Sequence, residues 1–375
     1  MPEVRYRFYL DGAPATREQL DEIEEIIVEQ QVDMAWEARL QIPICTDDQG
    51  RWSEEDDTFM RSFRRVRVEI KVGDGPFTAL IDGPIVGSDV QMSPEPGQST
   101  VTSIVHDDSV YLNQDDRQRR FDNRLDQEIA QDLFREVPQI ASFDIETTPP
   151  PNDSLKLSGM QRGTMMELLR RLARRQGMHA YVLPGREPGQ SIGVFRRFPT
   201  VPDGLPPLIL VGPDRNLASF SGRGDAQRPG RIESQSLSIS DKTVNRASAR
   251  IQSLELLGEE APVDDPADSG TRLVAPGLDG AVDVNQAVAA ELERSSYAFE
   301  TTGSVLGDCY AGVLAPYRVV TVKGVDGRQS GDYVIKSVTH RLTRSEYGQS
   351  FALLRNARSG GAGSGFLGSL GAGIF

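Results

Sequence analysis

The chain has 375 residues, 38% of them hydrophobic and 26% charged, and a net charge of −14. This composition predicts a soluble globular protein of two or three domains. The excess of carboxylates argues against direct nucleic-acid binding, which depends on neutralising phosphates, and no run of about 18 apolar residues predicts a membrane span. The first residues do not have the pattern of a secretion signal, so we expect no cleaved leader.

The acidic residues are concentrated in two segments. Residues 15–60 hold 14 acids and three bases, and residues 259–308 hold 11 acids and two bases. We interpret both as solvated surface. Cys45 and Cys309 predict buried thiols in a reducing compartment, although a single disulfide stays open. With three histidines, no CxxC or HExxH motif and no EF-hand spacing, we expect no metal site.

The first block of the chain, residues 1–112, is predicted to be β-rich with one helix. Residues 3–10 and 66–72 have the two-residue alternation of strands, and close turns favour antiparallel pairing. Thr16 and Gln19 have capping-box spacing. The apolar stripe of the helix that they begin is Leu20, Ile23, Ile26 and Ile27. An acidic loop over 46–60 interrupts the strands.

The middle block, residues 113–240, changes to a mixed pattern of helices and strands. A four-residue apolar step predicts a helix over 123–136. Thr164 begins the clearest helix, which Gly177 ends. We interpret its four arginines as helix surface, because the acidic remainder of the chain repels polyanions.

The third block, residues 241–356, returns to strands. It contains an acidic, flexible excursion over 259–300, in which a short helix begins at Asp283. Residues 357–375 form a glycine-rich tail, whose apolar residues are candidates for docking on a partner. The tail also contains a G-x-G-x-x-G pattern, but no βαβ unit surrounds it, so we expect no dinucleotide or other cofactor.

A weak internal repeat links the two β-rich blocks. At a spacing of 251 residues, Arg67-Val68 falls on Arg318-Val319 and Gly97-Gln98-Ser99 falls on Gly348-Gln349-Ser350. The repeat predicts two similar β units with a mixed α/β insert between them. Three such chains would offer six similar units in a ring.

One motif suggests an enzyme. Residues 189–193 match G-x-S-x-G, which in α/β-hydrolases places a nucleophilic serine between a strand and a helix. Ser191 would be the nucleophile and His340 its base. A loop precedes the motif and a strand-like run follows it, so we interpret it as a hairpin turn and expect no catalytic residues.

A third class of function stays open as an alternative. A carbohydrate- or cell-wall-binding β protein would present exposed aromatic platforms, yet aromatic residues make up 7% of the chain. Tryptophan occurs twice, at Trp36 and Trp52.

Three segments together resemble the late control D family of phage tail baseplate hubs, which is related to the N-terminal part of VgrG-type spike proteins. They are VRVEIKVGDGPFTALIDGPIVGSDV, MQRGTMMELLRRLARRQGMHAYV and GDYVIKSVTHRLTRSEYGQSFALLRN. The resemblance implies two tube-like antiparallel β-barrel domains, 1–112 and 241–356, with the mixed domain between them. It implies a structural protein without a chemical step.

The resemblance also implies partners. The chain would be a homotrimer that joins a hexameric tail tube to a separate trimeric spike protein and meets baseplate wedge proteins. It would be assembled in the bacterial cytoplasm and become part of a phage tail or contractile injection particle. The expected interface residues are Val66, Val68, Ile70, Val72, Arg318, Val319, Thr321, Phe366 and Leu367.

Overall fold

A computed structural model describes residues 3–46, 59–95, 97–150, 158–237, 242–262, 269–275 and 283–359. The strands are β1 (Val4–Leu10), β2 (Ala13–Pro14), β3 (Glu25–Gln31), β4 (Glu37–Pro43), β5 (Arg65–Val72), β6 (Thr78–Gln91), β7 (Thr100–His106), β8 (Arg117–Asp122), β9 (Ile140–Ile145), β10 (Ser158–Gly163), β11 (His179–Pro184), β12 (Ser191–Arg196), β13 (Leu208–Ile209), β14 (Leu217–Gly224), β15 (Arg231–Leu237), β16 (Val244–Arg250), β17 (Thr271–Val274), β18 (Phe299–Val305), β19 (Val319–Lys323), β20 (Gly331–Thr343) and β21 (Tyr347–Arg355). The helices are α1 (Arg17–Glu22), α2 (Asp126–Arg135), α3 (Met165–Arg175) and α4 (Val284–Ser296).

One large sheet contains both β-rich blocks. Its order is β14-β18-β21-β20-β3-β4-β7-β6-β5-β1-β2, and β19 and β13 branch from β20. The two blocks meet where β20 pairs antiparallel with β3. The expectation of a β-rich fold with antiparallel strands is therefore confirmed, and the two predicted barrels share one hydrogen-bonded sheet.

The first helix is shorter than the sequence predicts. The capping box of Thr16 and Gln19 is present, but α1 ends at Glu22. Ile26 and Ile27, which continue the helical stripe, lie in β3 instead. Ile26 is buried in the core of the first block, where strand pairing overrides the local helical period.

The middle block is the predicted α/β insert. The helices α2 and α3 pack on the sheet β11-β12-β9, in which β12 and β9 are parallel. Thr164 and Glu167 form the predicted capping box of α3. A run of apolar residues one helical turn apart gives α3 its buried face: Met165, Leu168, Leu169 and Leu172.

The predicted boundary at 240 places residues 208–224 in the middle block, but their strands pair with the third block. Here β13 pairs with β19 and β14 pairs with β18, so this stretch belongs to the sheet of the third block. A further small unit follows, in which α4 packs on the sheet β16-β15-β17. Part of the predicted flexible excursion is therefore ordered strand and helix, and its residues 263–268 and 276–282 lie outside the described residues.

The cysteine prediction is wrong in one respect. No disulfide joins Cys45 and Cys309, as favoured, but both are exposed and not buried. In the described part of the chain, no helix is long and apolar enough to cross a membrane. Those same residues contain no cluster of metal-binding side chains.

Candidate assembly interface

Two three-strand units in the sheet have the same topology. In the first, β6 pairs with β5 over its first half and with β7 over its second half. In the second, β20 pairs with β19 over Gly331–Val334 and with β21 over Val334–Leu342. Each central strand has a bulge opposite its third strand, at Val86 in β6 and at Lys336 in β20, and β6 has a second bulge at Leu80 opposite β5. The repeat predicted from the sequence is therefore present in the strand order.

The residue spacing of that repeat is wrong. The two bulged residues lie 250 positions apart (336 − 86), not 251. A spacing of 251 residues also does not align the flanking strands. Gly97-Gln98-Ser99 comes before β7, whereas Gly348-Gln349-Ser350 lies inside β21. Small differences in turn length between the units shift the register, so the matching triplets are a coincidence of sequence.

A backbone feature marks the start of both units. Phe63 and Tyr317 each precede the first strand and each have a φ of 62°, which is rare for an aromatic residue. The amide of Phe63 donates to the carbonyl of Ile85, and the amide of Tyr317 donates to the carbonyl of Ile335. The two residues are therefore structural equivalents.

The inner junction, defined as the pairing of β20 with β3, is fully buried on one face. His340 lies opposite Val28 and has no exposed surface. Its Nδ1 lies 2.9 Å from the Tyr347 hydroxyl and its Nε2 lies 3.2 Å from Oε1 of Gln30. Burial lowers the pKa of His340 to about 3, so the ring is neutral near pH 7. His340 is therefore a structural histidine within a strand.

Tyr317 contacts the turn at the end of the same junction. Its hydroxyl accepts a 2.7 Å hydrogen bond from the amide of Asp33, in the turn after β3. Its ring stacks on Tyr181 at 3.5 Å between centroids. The inner junction is thus held by strand pairing and by an aromatic anchor.

Several strand edges elsewhere in the sheet, most of the outer edge of β1 among them, have no partner strand among the described residues, and two of these edges matter here. One is the second half of β6, residues 86–91, which β7 covers on one side only. The other is the outer edge of β14, which ends the sheet. Val90 is 49% exposed and Met92, just beyond β6, is 58% exposed. We call these the β6 edge and the β14 edge. The β6 edge is equivalent to β20 in the inner junction, and the β14 edge is equivalent to β3.

Phe63 lies beside the β6 edge and is 56% exposed. Its equivalent, Tyr317, is 7% exposed. Sequence reasoning missed Phe63. The available signal was weak, since it is a single aromatic residue within the polar run Arg61-Ser62-Phe63-Arg64-Arg65.

Ser191 lies far from any catalytic arrangement with His340. It begins β12 after a hairpin from β11, which confirms the predicted hairpin turn. Its buried hydroxyl donates a 2.6 Å hydrogen bond to Asp108. His340 bonds with Tyr347 and Gln30 in the inner junction. The structure therefore does not bring the proposed nucleophile and base together.

Asp108 belongs to a buried ionic cluster that ties the middle block to the first unit. Arg65 donates to both Asp82 and Asp108. Asp82 also accepts from Arg67 at 2.8 Å and from the amide of Gly189 at 3.0 Å. The Gly-rich loop before Ser191 is therefore a docking loop held by charged side chains.

The predicted interface residues have different positions. Val66, Val68, Ile70 and Val319 have no exposed surface, and Val72 is 4% exposed. Their side chains already pack inside the chain.

Among the polar members of that set, Arg318 is partly exposed and pairs with Asp203. The hydroxyl of Thr321 donates to Asp332 at 2.6 Å. Phe366 and Leu367 lie outside the described residues.

Several solved structures share this architecture. A 43 kDa tail protein of prophage MuSo2 from Shewanella oneidensis is 15% identical with a TM-score of 0.64, and the match covers 94% of this chain and 99% of that one. A tail protein from Neisseria meningitidis MC58 is 14% identical with a TM-score of 0.60, covering 94% and 96%. The chain has the fold of phage tail proteins.

The same fold extends to secretion machinery. A type VI secretion component from E. coli, described as structurally similar to the T4 tail proteins gp27 and gp5, is 11% identical with a TM-score of 0.53, and the match covers 94% of this chain and 76% of that one. The resemblance to the hub family is thus confirmed at the level of fold. No protein-family model matches the sequence, and no curated protein matches it.

Proposed function

We propose that this protein is a structural baseplate hub, a homotrimer that joins a hexameric tail tube to a separate trimeric spike. The observation that supports the proposal is the equivalence between the two unpaired edges and the inner junction. The β6 edge corresponds to the β20 half of that junction, and the β14 edge corresponds to its β3 half. A second copy supplies the missing partner for each edge.

This arrangement generates a closed ring. A head-to-tail contact between different surfaces forms a ring when the rotation between copies closes. Each copy brings two equivalent units, so three copies give six units and six seams. Three seams are inner junctions, and three join the β6 edge of one copy to the β14 edge of the next. Such a ring matches a sixfold tube while it remains threefold in its chains.

The remaining parts of the proposal follow from this role. Large complementary surfaces do the work, and no chemical step is required. The neighbours in fold are tail proteins, which supports a role in a tail. Baseplate wedge proteins would contact the outside of the ring. Assembly would take place in the bacterial cytoplasm, before incorporation into a tail or injection particle.

Native mass spectrometry of the 41.2 kDa chain tests the proposal, alone and with candidate tube and spike proteins. We expect a trimer, formed alone or on a trimeric spike. A chain that stays a monomer with both partners would overturn the proposal.

A further inference from the structure

We propose a defined register for the seam between copies, in which Asp89 of one copy lies opposite Arg223 of the next. This inference rests on the proposed function, because it assumes that the β6 edge pairs with the β14 edge. The partner that it names is a second copy of this chain.

The register follows from two parallel series of strand pairs. In the first unit, Gly87 pairs with Ile104, Ile104 with Arg39, and Arg39 with Ile27. The series begins at the residue that follows the bulge at Val86 in β6. It ends on β3, the strand that faces the inner junction.

In the second unit, Ser337 pairs with Ala352, Ala352 with Thr302, and Thr302 with Ser221. This series also begins at the residue after the bulge, and it ends on β14. Ser221 is therefore the equivalent of Ile27.

The inner junction then fixes the partner of Ser221. Arg341 lies opposite Ile27 in that junction. Arg341 is four residues beyond Ser337, and Gln91 is four residues beyond Gly87, so Gln91 is the equivalent of Arg341. Gln91 of one copy thus lies opposite Ser221 of the next. Because the strands are antiparallel, Asp89 lies opposite Arg223.

The chemistry of the facing residues agrees with this register. Asp89 and Arg223 are both exposed, and within the described residues neither has an ion-pair partner in its own chain. The same register places Met92 opposite Phe220, which packs against the core on its strand. Facing residues in adjacent strands have Cβ atoms about 4.5–5.5 Å apart, close enough for both contacts.

In this register, core-face residues of β6 lie opposite core-face residues of β14. On β6, Val90 pairs with the buried Val101, so it lies on the core face, whereas Asp89 pairs with the half-buried Thr102. On β14, Phe220 lies on the core face and Arg223 on the opposite one. A register shifted by one residue would place Asp89 against a core-face position and would reverse every side chain.

Charge reversal tests the register. Asp89→Arg and Arg223→Asp are each expected to weaken the trimer about tenfold, because like charges then face each other at the seam. The double variant should restore assembly to near the wild-type level. Asp214→Arg, at an exposed carboxylate outside the seam, is the matched control and should leave the trimer unchanged.

The outcomes separate the two proposals. If the wild type forms a trimer but neither single reversal weakens it, or the double variant is no better than the singles, the register is wrong and the hub proposal stands. A wild-type chain that stays a monomer with tube and spike proteins overturns both.

A crosslink provides a second measurement that does not depend on affinity. In a background with Cys45→Ser and Cys309→Ser, the pair Gln91→Cys and Ser221→Cys should give covalently linked copies on oxidation, since facing residues have the separation that a disulfide requires. The pair Gln91→Cys and Gly224→Cys, three positions away and on the other face, is the control. Equal or better crosslinking of the control pair would overturn the register.

Discussion

The two equivalent units of the sheet have opposite surroundings. In the second unit, Tyr317 is buried under the turn that follows β3 and stacks on Tyr181. In the first unit, Phe63 has the same backbone conformation and is exposed. The comparison teaches that one backbone conformation is used twice, once where the chain pairs with itself and once at an exposed surface, where we propose that a second copy binds.

The units also contact the middle block through different chemistry. The first unit uses buried charges, with Arg67 paired to Asp82 across the strands. At the equivalent place in the second unit, Thr321 pairs with Asp332, and the contact with the middle block is aromatic. The same strand geometry therefore supports an ionic contact at one end of the sheet and an apolar contact at the other.

The largest expected effect breaks the ionic contact. Asp82→Ala should lower the free energy of unfolding by about 3–5 kcal/mol, because it leaves Arg65 and Arg67 as buried charges without their shared partner. Asp332→Ala, its equivalent, should cost about 1 kcal/mol for one hydrogen bond. Urea unfolding at one protein concentration measures both. Equal losses would show that the two contacts do not differ in kind.

The aromatic pair gives the next effect. Tyr317→Asn should cost about 3 kcal/mol, since it removes a buried ring and the hydrogen bond from Asp33. Phe63→Asn should leave the unfolding free energy of the chain within about 0.5 kcal/mol, because asparagine tolerates a positive φ. The second variant should instead weaken the trimer, as native mass spectrometry would show. A Phe63→Asn chain that trimerises normally would remove Phe63 from the seam.

The inner junction predicts a pH effect with a definite sign. The pKa of His340 in the folded chain is about 3, against 6.5 when exposed. The unfolded chain therefore binds more protons as pH falls below about 6.5, and stability is lost in that window. Between pH 7 and pH 5 the loss due to His340 should be about 2 kcal/mol.

His340→Gln isolates that contribution, because glutamine keeps a hydrogen-bonding side chain that does not titrate. The difference between variant and wild type across this pH range cancels other groups, such as Asp107, whose pKa burial raises to about 6. Parallel pH profiles of urea unfolding would contradict the assignment.

The last expected effect concerns Ser191. Ser191→Ala should lower the unfolding free energy by about 1.5 kcal/mol, through loss of one hydrogen bond to Asp108, which keeps its ion pair with Arg65. A serine-reactive phosphonate should not label the wild-type protein at this position. Labelling of Ser191 would reopen the hydrolase alternative.

Sequence reasoning succeeded where the signal is local. The cap of α3 by Thr164 and Glu167 and the turn before Ser191 depend on neighbouring residues, and both were predictable. It failed where residues distant in the sequence determine the structure. Ile26 and Ile27 continue the helical pattern, but they lie in β3 because that strand pairs with distant strands.

The candidate interface shows the same limit. Alternation identified the strand at 66–72, but the core uses its apolar side chains. Which edge is unpaired depends on the order of strands in the sheet, and no local pattern encodes that order. The register of the repeat was hidden because turns of unequal length separate the equivalent strands.

The connection after β14 has a consequence for the rim of the proposed ring. The strands β3 and β4 are joined by a short turn over 32–36, whereas their equivalents β14 and β18 are separated by residues 225–298, which include α4 and the sheet β16-β15-β17. Around a ring of six units, units with the short turn would alternate with units that carry residues 225–298. A sixfold neighbour would contact the strands that all six units share, and a threefold neighbour would contact the segment that only three units carry, so one ring would present two symmetries.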